Sequence, residues 1–271
     1  MRLHNTLQSI AIGSFDGIHT AHKVLIDQAD ALVIIERNGG YLTPGYKRSL
    51  YAKKPCYFYH LEKLKALSPH LFVAKLQEDF PQLQKIIIGY DFHFGKDKKG
   101  NSCLLKELFD GEVVIVEEVC VDVISVHSRV IKAYLKEGNI QRANSLLGRA
   151  YSIEGTVIRG QGIGKKELVA TLNIETKWYQ LPLDGVYATR TKVDNRWFYS
   201  ISFLGHRLST DGSFAIETHI LDQRIEQNSP LVEIEFIEFI RSNKKFAQLK
   251  ELKQQIIEDT LKAKSLLKEL S

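Results

Sequence analysis

The apolar residues change their period near Tyr151, and that change limits what the chain can build. Before it, short unbroken apolar runs, SIAIG at 9–13, ALVII at 31–35, KIIIG at 85–89 and EVVIVEEV at 112–119, alternate with helix-like stretches. Strands buried on both faces need such runs, which predict a parallel α/β layer. After Tyr151, YSIEGTVIRG, GVYATRTKV, RWFYSISFLG, FAIETHILD and LVEIEFIEFI alternate apolar with polar residues and are separated by turns. Strands of that kind predict an antiparallel sandwich or small barrel. A length of 271 residues also suits two domains.

Thr20 is expected to cap a helix running to about Ala29 and carrying Val24, Leu25 and Ile26, which completes a βαβ unit. Between Leu42 and Leu83, TPGYKRSLYAKKP reads as a mobile, solvated basic loop and YHLEKLKALS as a helix. SRVIKAYLKEGNIQRANSLLGRA reads as two connector helices, punctuated by Gly138 and stopped by Gly148. The division is therefore placed after residue 148: 1–148 forms the first domain, with the connector helices 128–148, and 149–271 the second. A closing amphipathic helix carries Phe246, Leu249, Leu252, Ile256 and Leu261.

With 44% hydrophobic and 25% charged residues the chain has the makings of real cores, which excludes wholesale disorder. No apolar window is long enough for a membrane span, and the start has none of a signal peptide's regions, so a cytoplasmic protein is expected. Cys56, Cys103 and Cys120 are odd in number and scattered, which points to reduced, structural thiols. From Arg241 onward eight Lys/Arg oppose four Asp/Glu, and this tail carries most of the net charge of +5. That localised charge reads as a solvated helix face rather than a nucleic-acid surface. Neither a nucleic-acid nor a membrane partner is expected, and a monomer is.

Directly after the first strand comes the turn Gly13-Ser14-Phe15-Asp16-Gly17-Ile18-His19, leading into Thr20-Ala21-His22-Lys23. In parallel sheets ligands bind beyond the carboxyl ends of strands, and a helix N-terminus there offers N–H groups to phosphate. His19 and His22 can face a bound polyphosphate and offset charge on a pentavalent phosphorus, with Lys23 adding a positive contact. A pair of surface histidines without a ligand is the plain alternative, and zinc lacks further ligands nearby. After KIIIG stands Gly89-Tyr90-Asp91-Phe92-His93-Phe94-Gly95. Its glycines permit close backbone approach and its aromatics can stack on a flat ring, or it is a turn with buried Phe.

In the second half Gly160, Gly162 and Gly164 precede Lys165 and Lys166, a loop able to wrap phosphates or simply a flexible hairpin. Thr171 and Asn173 share a face if TLNIE is extended, and a hydroxyl with an amide oxygen can bind magnesium bridging nucleotide phosphates. Glu217 is a candidate general base for a primary alcohol, or an outward polar residue on a half-exposed strand.

Together these motifs resemble the bacterial bifunctional riboflavin kinase/FMN adenylyltransferases. GSFDGIHTAH is similar to that family's G-N-F-D-G-V-H-x-G-H, with Ala21 in place of a glycine, and GYDFHFG matches its G-x-D-F-x-F-G. His127 to Lys132 stand at S-S-T-x-I-R, where Ser128 and Ile131 are kept and Lys132 replaces an arginine. Ile35 to Gly39 stand where the family has F-E-P-H-P. LLGRAYSIEGTV, ATLNI, Gly185-Val186-Tyr187-Ala188 and IETHILD follow the family's L-L-G-R-P-Y-x-I-x-G-x-V, P-T-A-N-I, G-V-Y-A and L-E-x-H-L-L-D. Gly205 and Arg207 survive from G-T-R-P, while Ala170 and Leu172 replace proline and alanine of P-T-A-N.

The resemblance implies a Rossmann-like nucleotidyltransferase domain followed by a six-stranded antiparallel barrel with a C-terminal helix. It implies that the barrel phosphorylates riboflavin with Mg-ATP to FMN, Thr171 and Asn173 holding magnesium with ATP and Glu217 serving as base. It implies that the first domain adenylylates FMN to FAD, releasing pyrophosphate, with His19, His22 and Lys132 offsetting charge. Gly13, Phe15, Asp16, Gly17, Lys23, Ser128, Lys132, Gly160, Gly162 and Gly164 are expected around nucleotide phosphates. Asp91, Phe92, Phe94, Gly95 and Arg207 are expected at the flavin or adenine. The alternatives are a riboflavin kinase with an impaired first domain, or a flavin- or nucleotide-binding protein without turnover.

Overall fold

A computed structural model describes residues 6–37, 39–158, 171–208, 212–223, 225 and 228–269. The chain divides into two compact units, Met1–Ser128 and Arg129–Ser271.

In the first unit the elements are β1 (Ser9–Gly13), α1 (Thr20–Ile26), β2 (Ala31–Glu36), α2 (Lys47–Ala52), β3 (Cys56–His60), α3 (Leu61–Leu64) and α4 (Pro69–Asp79). They continue with β4 (Lys85–Gly89), a 3-10 turn (Lys96–Lys98), α5 (Ser102–Leu108), β5 (Glu112–Val116) and a small hairpin, β6 (Cys120–Val121) with β7 (Ile124–Ser125). The main sheet is parallel, in the order β3-β2-β1-β4-β5.

Both faces of that sheet are covered, which is why the central stretches of its inner strands, Ile10–Ile12, Ala31–Ile35 and Ile86–Ile88, are apolar throughout. Ile10, Ile12, Val33, Ile86 and Ile88 pack with Phe72, Leu76 and Phe80 of the α4 segment and Leu105 of α5. Ala11, Leu32, Ile34 and Ile87 pack on the other side with Leu25, Ile26 and Ala29, next to Ala52.

Local sequence signals and the structure differ in three places. The cap of α1 is His19 rather than Thr20: its side chain accepts the His22 N–H. The stretch read as one helix is only the short α3, and the longer α4 follows, capped by Ser68 and opened by Pro69. The segment read as a solvated loop contains α2, with Lys47 and Arg48 buried at 3% and 1% exposure.

The second unit takes in α6 (Ser128–Lys136, apart from its first residue), α7 (Ile140–Leu147), β8 (Tyr151–Ile158), β9 (Leu172–Glu175), β10 (Gly185–Val193) and β11 (Arg196–His206). It ends with β12 (Phe214–Ile220), β13 (Leu231–Ser242) and α8 (Leu249–Lys268). Its six strands close a barrel in the order β10-β11-β12-β9-β8-β13, and closure leaves no open sheet edge.

Gly148 ends α7 in the left-handed conformation. Asn144 of α7 donates to Phe236 O and accepts from Tyr151 N–H, pinning that helix to β13 and β8. Part of the barrel's buried lining is polar: Thr189, Thr191, Ser200, Ser202 and Thr218 are fully buried and hydrogen-bond one another. Mutual satisfaction is what makes such burial tolerable.

Helix α8 covers the outer face formed by Val186, Ala188, Ile201 and Ile240, using Ala263 and Leu267. The stripe expected on α8 is turned from the observed one, since Leu249 and Leu261 are exposed. The turn lets Asp259 reach inward, where it takes Arg241 through Nε at 2.9 Å and Nη2 at 2.7 Å.

Candidate active site

Strand β1 pairs with β2 on one side and β4 on the other, so the chain order reverses between β1 and β4. The crevice beyond the carboxyl ends at such a reversal is where open α/β sheets bind ligands. The turn after β1 and the turn after β4 both lie at that end.

The first turn is tightly wound. Phe15, Gly17 and Ile18 have φ of 47°, 97° and 42°, and positive φ at an isoleucine is costly backbone held by its surroundings. Phe15 and Ile18 are fully buried in the core under α1. The Phe15 side chain thus lies in the core, where its edge meets the His22 ring at 5.1 Å. The rings of His19 and His22 stack with centroids 3.5 Å apart. His19 Nδ1 accepts the His22 backbone N–H at 3.3 Å, which leaves the proton of a neutral ring on Nε2.

Asp16 is buried and its Oδ1 accepts the backbone N–H groups of Leu42 and Thr43 at 2.7 and 3.1 Å. Ser128 Oγ donates to Asp16 O at 2.7 Å. These two expected site residues therefore brace the turn. Gly13 ends β1, Lys23 is exposed on α1, and Lys132 lies one turn beyond Ser128 on α6 in the second unit.

In the second turn Phe94 is 4% exposed and lies between Phe72, at 5.2 Å, and Phe92, at 5.7 Å. Its ring faces are taken up by protein, and Phe92 packs on the same core. Gly95 has φ 72°, and a Cβ there would meet Pro69 at 2.9 Å, so glycine is required. Asp91 is exposed, with its carbonyl 2.9 Å from His93 Nδ1.

Two sets of contacts near this crevice join residues far apart in the sequence, and no local pattern points to them. Arg48 donates to Thr43 O at 2.9 Å and Glu36 Oε1 at 3.2 Å and lies over the Tyr41 ring. Beyond the carboxyl ends of β4 and β5, Tyr90 Oη lies 3.1 Å from both Glu118 Oε1 and His127 Nε2. Burial, then the Glu118 carboxylate, pushes the Tyr90 phenol up, while the Ser125 and Tyr90 hydroxyls hold Glu118 below its usual range.

On the barrel, Glu217 of β12 is the direct register partner of Asn173 of β9. Their neighbours Thr218 and Ile174 are buried, so by the period of two Glu217 and Asn173 point outward together. Thr171 is exposed just before β9. Arg207, just past β11, reaches Glu217 Oε1 through Nε at 2.8 Å and Nη2 at 2.6 Å, and Asn173 Oδ1 through Nη2 at 2.8 Å. Gly160, Gly162 and Gly164 lie outside the described residues.

The amide oxygen of Asn173 and the hydroxyl of Thr171 are hard neutral donors. They suit a magnesium ion that brings most of its ligands as phosphate oxygen and water. Among the described residues no group of three or more His, Cys, Asp or Glu is placed to hold a metal. Among the described residues, too, no helix is long and apolar enough to cross a membrane.

Residues 147–267 match the riboflavin kinase family model, and 55–130 match that of FAD synthetase. The bifunctional riboflavin kinase/FMN adenylyltransferase of Haemophilus influenzae is 29% identical, with 97% of each chain covered. Its namesakes in Buchnera aphidicola and Listeria monocytogenes are 29% and 28% identical, covering 95% and 92% of this chain and 92% and 89% of their own. A crystal structure from Streptococcus pneumoniae, described as a macrolide-efflux protein, is 23% identical with a TM-score of 0.84, covering 95% of this chain and 93% of its own. At that identity it supports the fold alone. With both family models matched in order and relatives aligned along nearly its whole length, the chain belongs to the bifunctional riboflavin kinase/FMN adenylyltransferase family.

Proposed function

We propose that this chain makes FAD in two transfers from ATP. The segment 149–271 phosphorylates riboflavin, and the segment 1–148 adenylylates the resulting FMN. The observation that carries the reading is the outward pairing of Asn173 with Glu217 across β9 and β12. It puts a metal-type oxygen and a carboxylate on neighbouring strands, the two groups a small-alcohol kinase requires.

In the first transfer the 5′-hydroxyl oxygen of riboflavin bonds to the γ-phosphorus of ATP, the bond from that phosphorus to the bridging oxygen breaks, and ADP leaves. Glu217 takes the hydroxyl proton. Asn173 and Thr171 hold magnesium, which when bound neutralises phosphate charge. Catalysis here is mostly positioning and charge stabilisation.

In the second transfer a phosphate oxygen of FMN bonds to the α-phosphorus of a second ATP. The α–β bridge breaks and pyrophosphate leaves. The attacking oxygen already carries charge, so no side-chain base is needed. His19 and His22 stabilise the charge at phosphorus, with Lys23 adding positive charge. Gly13 and Gly17 let the backbone approach the phosphates, while Phe15, Asp16 and Ser128 hold the turn in shape. Asp91, Phe92 and Gly95 border the ring of the flavin or adenine. A cytoplasmic enzyme working as a monomer is the setting proposed.

The experiment is product analysis of Glu217→Gln. FMN formation from riboflavin should be lost while added FMN is still converted to FAD. Undiminished FMN formation would remove Glu217 as the base.

A further inference from the structure

Arg207 holds both groups that the proposed kinase reaction needs. Its Nε and Nη2 converge on Glu217 Oε1 at 2.8 and 2.6 Å, and the same Nη2 lies 2.8 Å from Asn173 Oδ1. Nη1 completes the grip on Ser213 Oγ at 2.9 Å. The Arg207 and Glu217 side chains keep only 20% and 25% exposure, so solvent screens their attraction only in part.

Two incompatibilities follow. Asn173 Oδ1 cannot point its lone pairs at a guanidinium and at a divalent cation together, because the two cations would sit within contact of each other. Two charge-assisted hydrogen bonds also close Oε1 of Glu217 to an alcohol and hold the whole carboxylate turned toward Arg207, so that only Oε2 is left and its direction is set by the guanidinium. The arrangement observed therefore opposes the chemistry at both ends through one side chain.

The backbone under Arg207 is fixed. Its N–H donates to Ser213 O at 2.9 Å and its carbonyl accepts from Gly212 N–H at 3.1 Å. Only the long side chain is left to move, and a planar guanidinium turned off Glu217 finds in nucleotide phosphates the anion it pairs with best.

We propose that Arg207 is a latch: it masks Glu217 and Asn173 until a magnesium nucleotide takes Asn173, then turns to the phosphates and frees Glu217 as the base. It is a positioning residue, and the proposal rests on the kinase reading of this site. Its consequence is an order of events in which the carboxylate becomes available only once the phosphoryl donor is in place.

The test is a double-mutant cycle on the full chain, with Arg207→Ala, Glu217→Gln and the double variant melted with and without saturating ADP and magnesium. Without nucleotide, the double variant should lose less than the sum of the single losses, by about 2 to 4 °C. With ADP and magnesium the losses should become additive. Equal coupling under both conditions, or none under either, overturns the latch and shows Arg207 to be a fixed strut or not engaged.

Should a variant fail to fold, the Arg207 Nε–H resonance of the wild-type protein, assigned by its loss in Arg207→Lys, gives the same answer. It should shift when ADP and magnesium are added, and a stationary resonance overturns the latch. A wild-type protein that makes no FMN from riboflavin and ATP would instead remove the kinase reading, and the latch with it.

Discussion

His19 Nδ1 accepts the backbone N–H of His22, and the two rings stack 3.5 Å apart. One residue is therefore both helix cap and candidate charge stabiliser, and the two roles separate by substitution. Asparagine caps as well as any residue but has no imidazole. His19→Asn should keep the melting temperature and lower adenylylation of FMN by about 100-fold or more. Unchanged FAD formation would reduce His19 to a cap.

His22→Ala should lower the same step by about 100-fold and leave riboflavin phosphorylation unchanged. Steady-state assays of the two steps, run separately on supplied riboflavin and supplied FMN, check it. Equal loss in both would mean that the substitution damages the fold.

Arg48 is buried on Glu36 and Thr43 O, so Arg48→Ala strands the Glu36 carboxylate. Breaking a buried pair costs about 3 kcal/mol, here toward the low end because Glu36 keeps 20% exposure. Denaturant unfolding should show that loss. A change within about 0.5 kcal/mol, usual for surface sites, would return this segment to a solvated loop.

Asp30 accepts the N–H groups of Ser9 and Gln8, and its own N–H donates to Ser9 Oγ. The Ser9 contacts hold its carboxyl below 3.8. A depressed folded value means that its contribution is present above pH 3.8 and is lost as pH falls through the folded value. Asp30→Asn should thus lower the melting temperature at pH 7, and the gap from wild type should close below about pH 4. A gap that stays constant down to pH 3 would show that charge plays no part.

The sheet of the first unit was legible because unbroken runs such as KIIIG suit little besides a doubly covered parallel strand. Strand β3, CYFYH, was not: it lies at the sheet's edge, where half-exposed residues blur the pattern. Arg48 and Asp259 are charged residues whose burial depends on partners from other elements, Glu36 and Arg241, and no local pattern reveals that. Period two gave Asn173 and Glu217 a face each. Their direct pairing, and the Arg207 that joins them, depend on how β9, β11 and β12 close the barrel.

The most direct test of the central claim is to incubate the purified chain with riboflavin, ATP and magnesium and follow the flavins by chromatography over time. The account predicts that FMN rises first and FAD follows as FMN is consumed. FMN that accumulates without FAD would contradict the role given to the His19 and His22 crevice, and unchanged riboflavin would contradict the role given to Asn173 and Glu217.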